Sequence, residues 1–289
     1  MVTKTIQAAL VKKFLPPRKS SSRKGDNGTV LVVGGSYIYH GAPILSSLAA
    51  LRSGTDLVYT SIPKINAQST RAISPNLIVI PLVDQKLTRG AVRKLLGAIP
   101  KNLNSATIGM GLAIAEKESL KILVSSLIKN DVRVSLDASA LVPDILPIIA
   151  NKNSVVTPHA GEFKRLFGEA PPANTKQRVS IVEKFAKNHG VTILLKGQTD
   201  VVSDGKTTYL NPKIIPAMTV GGTGDVLSGL VAGILAKNRN ALEATTAATF
   251  INGLAGKLVQ RKLGLHMTSM DLIDAIPQVM KPFDKITSK

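Results

Sequence analysis

The feature that most constrains the fold of this chain is the alternation of short, β-branched apolar runs with segments of helical periodicity. The run "TVLVVGG" at 29–35 predicts a buried strand that enters a glycine turn, and "APILSSLAALRSG" at 42–54 predicts a helix that Gly54 ends. Further short strands are predicted at "DLVYTSI", "LIVIPL" and "ATIGMG". This alternation indicates an α/β fold with a mostly parallel sheet and helices on both faces.

The second half of the chain continues the pattern and then becomes helical. A helix is predicted at 175–190, and a buried strand, "VTILLKG", follows it. The Asp-Gly inside "VVSDGKTTYL" predicts a β-hairpin, and the pattern after Gly224 is nearly all helical. Since no Pro/Ser-rich linker divides the interior, we expect a basic N-terminal helix and loop over 1–28 and a single catalytic domain over 29–289.

Composition excludes several classes of protein. The chain has no cysteine, which excludes disulfides, thiolate metal sites and cysteine nucleophiles and makes the cytoplasm the expected compartment. No apolar run reaches the length of a membrane span, and the N-terminus lacks the apolar region of a signal peptide. We therefore expect no membrane partner.

The charge balance raises the question of nucleic acid. The net charge is +19, and seven basic residues precede the first acidic residue, Asp26. Aromatic residues make up only 3% of the chain, so few side chains are available to stack on bases. We expect no specific nucleic-acid binding and assign the positive surface to the attraction of phosphorylated metabolites.

Polar residues and glycines follow several of the predicted strands, at the edge where open parallel sheets bind ligands. It includes Asp137 after "RVSL" and the segments Gly34–Ser36, Gly109–Gly111, Thr157–His159 and Lys196–Gly197. A glycine after a strand usually marks only a tight turn, so none of these is specific alone. Their convergence on one edge predicts a ligand site.

The stretch "GGTGDVLSGLVAGIL" places a carboxylate, Asp225, at the start of an apolar helix. Such an Asp is often a helix cap that stabilises by about 1 kcal/mol. Alternatively, the glycines expose backbone N–H groups to a phosphate and Asp225 acts as a base beside it. The stretch is not a Walker A loop, because no Gly-Lys-Ser/Thr follows the glycines. By itself it leaves both interpretations open.

Together with "NGTVLVVGGSYIYHGAPILSSLAALRSGTDLV", "LDASAL", "TPHAGEFKRL" and "ILLKGQTDVV", this stretch resembles one family from about Asn27 to Gly256. That family is the ADP-dependent NAD(P)H-hydrate dehydratases, carbohydrate-kinase-like enzymes of the ribokinase-like superfamily. The resemblance implies a three-layer sandwich and a hydro-lyase that repairs the S epimer of hydrated NADH or NADPH. ADP is consumed, with ATP as an alternative, and AMP and phosphate are released.

The resemblance also implies the site residues. The hydrated nucleotide is expected at Ala42, Gly111, His159 and Asp225, with Asp225 at the reacting hydroxyl. The adenine nucleotide is expected at Lys196, Gly197, Gln198, Thr199, Asp200, Gly222, Thr223 and Gly224. Mg²⁺ is the expected cation. Its protein ligands are not evident from the sequence, and Glu162 is only a candidate.

The chain departs from the family pattern in two places. Ile214 and Ile215 stand where a Gly-Asn is usual, and Lys257 replaces an expected acidic residue. The family also implies a homo-oligomer, a tetramer by resemblance, and an epimerase for the other hydrate isomer, here expected as a separate chain. Two alternatives stay open: a small-molecule alcohol kinase of the same superfamily, and a non-enzymatic protein that binds nucleotides or nucleic acid.

Overall fold

The computed structural model describes residues 2–288. The strands are β1 Val2–Thr5, β2 Arg18–Lys19, β3 Thr29–Val33, β4 Leu57–Pro63, β5 Ile78–Leu82, β6 Ser105–Ile108, β7 Arg133–Leu136, β8 Val155–Val156, β9 Thr192–Leu195, β10 Thr199–Ser203, β11 Thr207–Pro212 and β12 Ile286–Thr287. The helices are α1 Ala8–Phe14, α2 Gly41–Arg52, α3 Lys64–Ile73, α4 Arg89–Ala98, α5 Lys117–Lys129, α6 Leu146–Ile149, α7 Ala160–Phe167, α8 Thr175–His189, α9 Thr223–Lys237, α10 Ala241–Leu263 and α11 Ser269–Met280. Short 3-10 turns lie at Ala138–Ala140, Pro143–Ile145, Pro216–Thr219 and Lys281–Phe283.

Ten strands form one sheet in the order β1-β11-β10-β9-β8-β7-β6-β3-β4-β5. Within it only β10 runs antiparallel to its neighbours, β9 and β11. The parallel register places Val30 opposite Val58, and Leu31 opposite Ala106. The predicted mostly parallel sheet is therefore confirmed. Its parallel part includes the five strands that are followed by the polar residues and glycines noted in the sequence, namely β3, β6, β7, β8 and β9.

Both faces of the sheet are covered by helices. On β3, Leu31 and Val33 pack into the cluster that α4, α5, α7 and α8 share, while Val30 and Val32 pack toward α2 and α9. Side chains of a strand alternate between the two faces of its sheet, so a strand with every residue buried must lie between two helical layers. This is the three-layer arrangement predicted from the sequence.

The first residues of the chain belong to this same unit. Strand β1 pairs in parallel with β11 at one edge of the sheet, and β2 pairs with β12. In α1, Val11 and Phe14 are buried in the cluster that α9, α10 and α11 share. The expected boundary at residue 28 therefore does not separate two packing units, because the apolar face of α1 is buried against the helical layer of the main domain.

Two local predictions are confirmed by backbone geometry. Helix α2 ends at Arg52 and is followed by Gly54 in the left-handed region, with φ +87°. Strands β10 and β11 form the predicted hairpin, in which Asp204 Oδ1 accepts hydrogen bonds from the N–H groups of Lys206 and Thr207. Within residues 2–288, no helix has the length and apolarity needed to cross a membrane.

Candidate active site

The candidate site lies at the carboxyl edge of the parallel strands. The strands β9, β8, β7, β6 and β3 are consecutive neighbours in the sheet, so the loops after them lie side by side. At this edge the N–H of Lys196 donates to the carbonyl of Pro158, and the N–H of Gly35 donates to the carbonyl of Met110. The predicted convergence of the polar residues and glycines after these strands is therefore present in the fold.

The start of α9 faces this edge. Its N-cap is Gly222, with φ +93°, and its first hydrogen bond runs from the N–H of Val226 to the carbonyl of Gly222. The N–H groups of Thr223, Gly224 and Asp225 thus precede the first N–H that donates within the helix and have no acceptor in it, which is the arrangement that binds anions. A Cβ added to Gly224 would meet only Lys196 Nζ, at 3.8 Å, so this residue borders open space.

The positive φ in this stretch belongs to Gly222 and not to Gly224. A Cβ on Gly222 would lie 2.6 Å from both Leu45 Cδ1 and Ser269 Oγ, which leaves room for glycine only. Gly222 therefore shapes the turn into the helix, while Gly224 leaves space beside the exposed N–H groups.

Asp225 is the third residue of α9. Ser46 Oγ donates to its backbone carbonyl at 2.8 Å, which ties the first turn of α9 to α2. No donor among the described residues lies within hydrogen-bond distance of the Asp225 carboxylate. Burial, and to a lesser extent the charges of Asp137 and Glu162, raises the pKa of Asp225 to about 6, and Lys196 partly opposes this shift. A carboxylate that caps nothing, and whose pKa of about 6 lies close to neutral pH, fits a general base better than a helix cap.

Helices α2 and α9 hold that first turn in place by close backbone contact. A Cβ on Gly229 would lie 2.0 Å from the carbonyl oxygen of Ser46. The glycine in "SGLVAG" thus allows the two helices to touch, and Thr107 Oγ1 joins Ser228 Oγ at 2.7 Å across the sheet. The position of Asp225 is consequently fixed by buried contacts on α2 and on β6.

Lys196 lies between three carboxylates. Its Nζ is 2.9 Å from Asp137 Oδ1 and 3.7 Å from Glu162 Oε2, and Asp225 is near enough to interact with its charge. Burial disfavours the ammonium, but the carboxylates outweigh burial and raise the pKa of Lys196. Asp137 is only 3% exposed; the sequence placed it at this edge of the sheet, but the resemblance assigned it no role.

Two open clefts meet at the first turn of α9. The first, of about 440 Å³, is lined by five of the predicted nucleotide residues: Lys196, Gly197, Gln198, Thr223 and Gly224. The second, of about 430 Å³, is lined by Ala42, Gly111 and Asp225, three of the four predicted substrate residues. Because Gly224 faces one cleft and Asp225 the other, ligands in the two clefts would meet at this turn.

We call the first cleft the nucleotide cleft and the second the substrate cleft. The nucleotide cleft is also lined by residues that the sequence did not assign to the site. They are Lys213, Ile214, Ile215, Pro216, Met218, Thr219, Leu227 and Asn252. Asn252 is 1% exposed and its Oδ1 has no hydrogen-bond partner among the described residues, which leaves an acceptor for a ligand. The sequence did contain a sign of this site, because Asn252 begins the segment "NGLAGK", in which Lys257 departs from the family pattern.

Three predicted nucleotide residues lie outside the lining of this cleft: Thr199, Asp200 and Gly222. Asp200 is fully buried, and its Oδ1 accepts from the N–H of Gly197 at 3.0 Å. Its Oδ2 lies 2.6 Å from Lys213 Nζ. Asp200 therefore holds Gly197 and Lys213 in the cleft wall, and its carboxylate faces the protein and not the cleft.

His159 also does not line either cleft. It is the N-cap of α7, and its Nδ1 accepts from the N–H groups of Gly161 and Glu162 at 3.0 and 3.3 Å. Since Nδ1 accepts these bonds, a proton on the ring belongs to Nε2, which lies 3.5 Å from Glu162 Oε1.

Glu162 forms a capping box with His159 at the start of α7. Its Oε2 accepts from the N–H of His159 at 2.9 Å and also faces Lys196. Over residues 2–288, no three His, Asp or Glu side chains are grouped as a metal site would require. A cation here would have to be held mainly by ligand phosphates, which is how Mg²⁺ often binds at nucleotide sites.

Of the family departures, only the isoleucines touch the site. Ile214 lies on the rim of the nucleotide cleft and is 80% exposed, whereas Ile215 is 7% exposed in its wall. Lys257 lies on α10, exposed and outside the cleft lining.

Comparison with known proteins agrees with this geometry. A family model described as NAD(P)H-hydrate dehydratase matches residues 30–278. The chain is 73% identical to the ADP-dependent (S)-NAD(P)H-hydrate dehydratase of Nitrosopumilus maritimus over 286 residues, which are 99% of this chain and all of that protein. It is 44% identical to a bifunctional NAD(P)H-hydrate repair enzyme of Pyrobaculum aerophilum, covering 92% of this chain but 53% of that protein.

A solved structure extends the comparison to the fold. The ADP/ATP-dependent NAD(P)H-hydrate dehydratase of Bacillus subtilis, co-crystallised with ATP and Mg²⁺, superimposes with a TM-score of 0.80 at 28% identity. The match covers 97% of this chain and 99% of that one. Agreement over nearly the whole length confirms the predicted ribokinase-like three-layer fold.

Proposed function

The chain belongs to the NAD(P)H-hydrate dehydratase family, and we propose that it dehydrates the S epimer of hydrated NADH or NADPH at the expense of ADP. AMP and phosphate are the other products. The observation that carries the proposal is the junction of the two clefts: Gly224 faces one and Asp225 the other across a single helical turn. Such a junction brings a phosphoryl donor and a hydroxyl acceptor together.

In the proposed first step Asp225 removes the proton of the substrate hydroxyl. The hydroxyl oxygen forms a bond to the β-phosphorus of ADP, and the bond from that phosphorus to the bridging oxygen breaks, which releases AMP. A pKa of about 6 leaves Asp225 ionised at neutral pH but basic enough to accept a proton.

Charge on the transferred phosphoryl group is stabilised from two sides. The N–H groups of Thr223, Gly224 and Asp225 point from the helix end, and Lys196 Nζ lies beside Gly224. Asp137 and Glu162 keep Lys196 protonated and in place. Mg²⁺ bound to the phosphates would neutralise further charge, with no protein cage required of the described residues.

In the second step the ring nitrogen of the hydrated nicotinamide expels phosphate from the adjacent carbon. Loss of a proton from the neighbouring ring carbon then restores the dihydropyridine. Phosphorylation makes this possible, because hydroxide is a poor leaving group and phosphate a good one. The apolar wall of the substrate cleft at Ala42, Leu112 and Ala113 would limit access of water to the activated intermediate.

The test is incubation of the protein with NADHX and either ADP or ATP. Recovery of NADH absorbance together with stoichiometric AMP from ADP supports the proposal. A stable phosphorylated product without NADH recovery would instead indicate the alternative, an alcohol kinase of the same superfamily. A comparison of initial rates with NADHX and NADPHX would give the substrate preference.

The remaining expectations are part of the same proposal. We propose a cytoplasmic homo-oligomer, a tetramer by resemblance, that acts with an epimerase carried on a separate chain. The chain spans about half of the length of the bifunctional relative from Pyrobaculum aerophilum. We also propose one catalytic domain that includes β1 and α1, since both pack into its sheet and core.

A further inference from the structure

A buried lysine with no carboxylate partner lies at the far end of α9. The Nζ of Lys237 donates to the carbonyl of Ser53 at 2.5 Å, and no carboxylate of the described residues is within ion-pair distance of it. Burial, and to a lesser extent the charge of Arg18, lowers the pKa of Lys237 to about 8, and the charges of Asp284 and Asp56 partly oppose this shift. Buried charges in proteins are usually paired, so this one calls for an explanation.

Lys237 forms part of the wall of a cavity of about 350 Å³ at the amino edge of the sheet. Four other cationic residues line the same cavity, and Asp284 is the one acidic residue among them: Arg18, Arg52, Lys281 and Lys285. A groove that shares Arg18 with this cavity adds Lys19, Arg23 and Lys24. The cavity and the groove together form a strongly positive concave surface, which we call the basic cavity.

The acidic groups near the basic cavity do not neutralise it. Asp56 accepts from the N–H groups of Gly25 and Asn27, from the Asn27 amide and from Arg18, so its oxygens are occupied. Asp284 is exposed to solvent and forms no ion pair with the described residues. Asp274 forms an ion pair with Arg52 at 3.7 Å, and both of these side chains are exposed. These three carboxylates are fewer than the eight cations that line the basic cavity, and an excess of positive charge remains.

Helix capping accounts for only part of this arrangement. Lys237 donates to Ser53 and Arg18 donates to Gly54, both at the C-terminal end of α2, where cations stabilise the helix dipole. One donor to each carbonyl suffices for that purpose. Lys285 likewise donates to the carbonyl of Lys12 near the C-terminal end of α1. Capping does not require Arg52 and Lys281 to converge on the same space, where the mutual repulsion of the cations costs free energy.

We propose that the basic cavity binds an organic ligand that carries two or more phosphate groups, at a site separate from the active clefts. The cations would hold the phosphates, and the apolar wall at Pro16, Met280 and Phe283 would contact the carbon skeleton. Helix α9 joins the two sites, with Asp225 at one end and Lys237 at the other, and its 15 residues span about 22 Å at 1.5 Å each. The proposal is independent of the activity proposed above.

The test is calorimetric titration of inorganic pyrophosphate, as the phosphate probe, at low ionic strength. The double variant Arg52→Gln/Lys281→Gln removes two exposed cations of the basic cavity. Its matched control, Lys86→Gln/Lys101→Gln, removes two exposed cations that line neither the basic cavity nor the active clefts. We expect pyrophosphate affinity to fall at least tenfold in the first double variant and to stay within twofold of wild type in the control.

A third variant locates the probe. Lys196→Gln alters the active clefts and leaves the basic cavity intact, so pyrophosphate should still bind there with near wild-type affinity. Binding that is lost in Lys196→Gln but kept in Arg52→Gln/Lys281→Gln would overturn the proposal, as would equal losses in the two double variants. Circular dichroism of each variant separates lost binding from lost folding, because the substituted residues of both double variants are exposed.

Discussion

Asp225→Asn should abolish most activity and at the same time stabilise the fold. The pKa of Asp225 is 3.8 in the unfolded chain and about 6 in the fold, so ionisation penalises the folded state. A shift of about two units corresponds to about 3 kcal/mol once the group is fully ionised, and to about half of that at pH 5. The stability of the protonated form is fully present below pH 3.8 and is lost as the pH rises through 6.

The asparagine carries no charge at any pH, so the variant escapes this penalty. Urea unfolding at pH 8 should therefore show the variant to be more stable than wild type by up to about 3 kcal/mol, and the gain should shrink toward pH 5. Turnover of NADHX should fall by about 10²-fold or more, the contribution of one positioned base. ADP affinity should change little, since the helix N–H groups are unaltered.

A carboxylate at the same helical position elsewhere provides the control. Asp271 is the third residue of α11, and its carboxylate accepts from the N–H and the hydroxyl of Thr268, which lowers the pKa of Asp271. Asp271→Asn should therefore destabilise the fold, by about 1 kcal/mol for a lost cap interaction.

The two Asp→Asn variants distinguish a base from a cap. If Asp225→Asn loses stability as Asp271→Asn does, or keeps wild-type turnover, then Asp225 is a cap and the catalytic assignment fails. A stability gain that does not depend on pH would refute the electrostatic origin of the effect while leaving the catalytic role to the activity assay.

Three further outcomes are expected. The kcat/KM of wild type should fall tenfold per pH unit below about pH 6, where Asp225 becomes protonated; a flat profile down to pH 5 in stopped assays would remove Asp225 as the base. Gly224→Val should fold normally but weaken ADP binding at least tenfold, about 1.4 kcal/mol, because its new side chain fills the space beside the N–H groups; unaltered ADP affinity in a calorimetric titration would exclude the phosphate cradle. Gly222→Ala should instead lower the melting temperature in thermal unfolding, because its new Cβ meets Leu45 and Ser269 at 2.6 Å. Duplex DNA should bind only weakly and lose affinity steeply with added salt, since the basic segments contact phosphates alone; tight, sequence-dependent binding at physiological salt in a fluorescence assay would contradict this.

The sequence alone determined the layer architecture, because the periodicity of apolar residues is a local property. The run at 29–35 shows a strand buried on both faces, and Asp204–Gly205 shows a hairpin, since in each the residues that decide the conformation are neighbours in the chain. The glycines and Asp225 indicated an anion site at a helix start for the same reason. The enzyme family also follows from such local motifs.

Tertiary structure decided the relations between distant residues. Strand β1 joins the sheet beside β11, some two hundred residues later in the chain, and no local pattern indicates this pairing. Asp137 and Lys196 are 59 residues apart, yet their contact fixes the charge beside the phosphate site. The fold also directs the Asp200 carboxylate to the N–H of Gly197. It places Arg52, Lys237 and Lys281 in the lining of one cavity. Such contacts depend on which side chains the folded backbone brings together and on the water they exclude, and neither is encoded in the spacing of neighbouring residues.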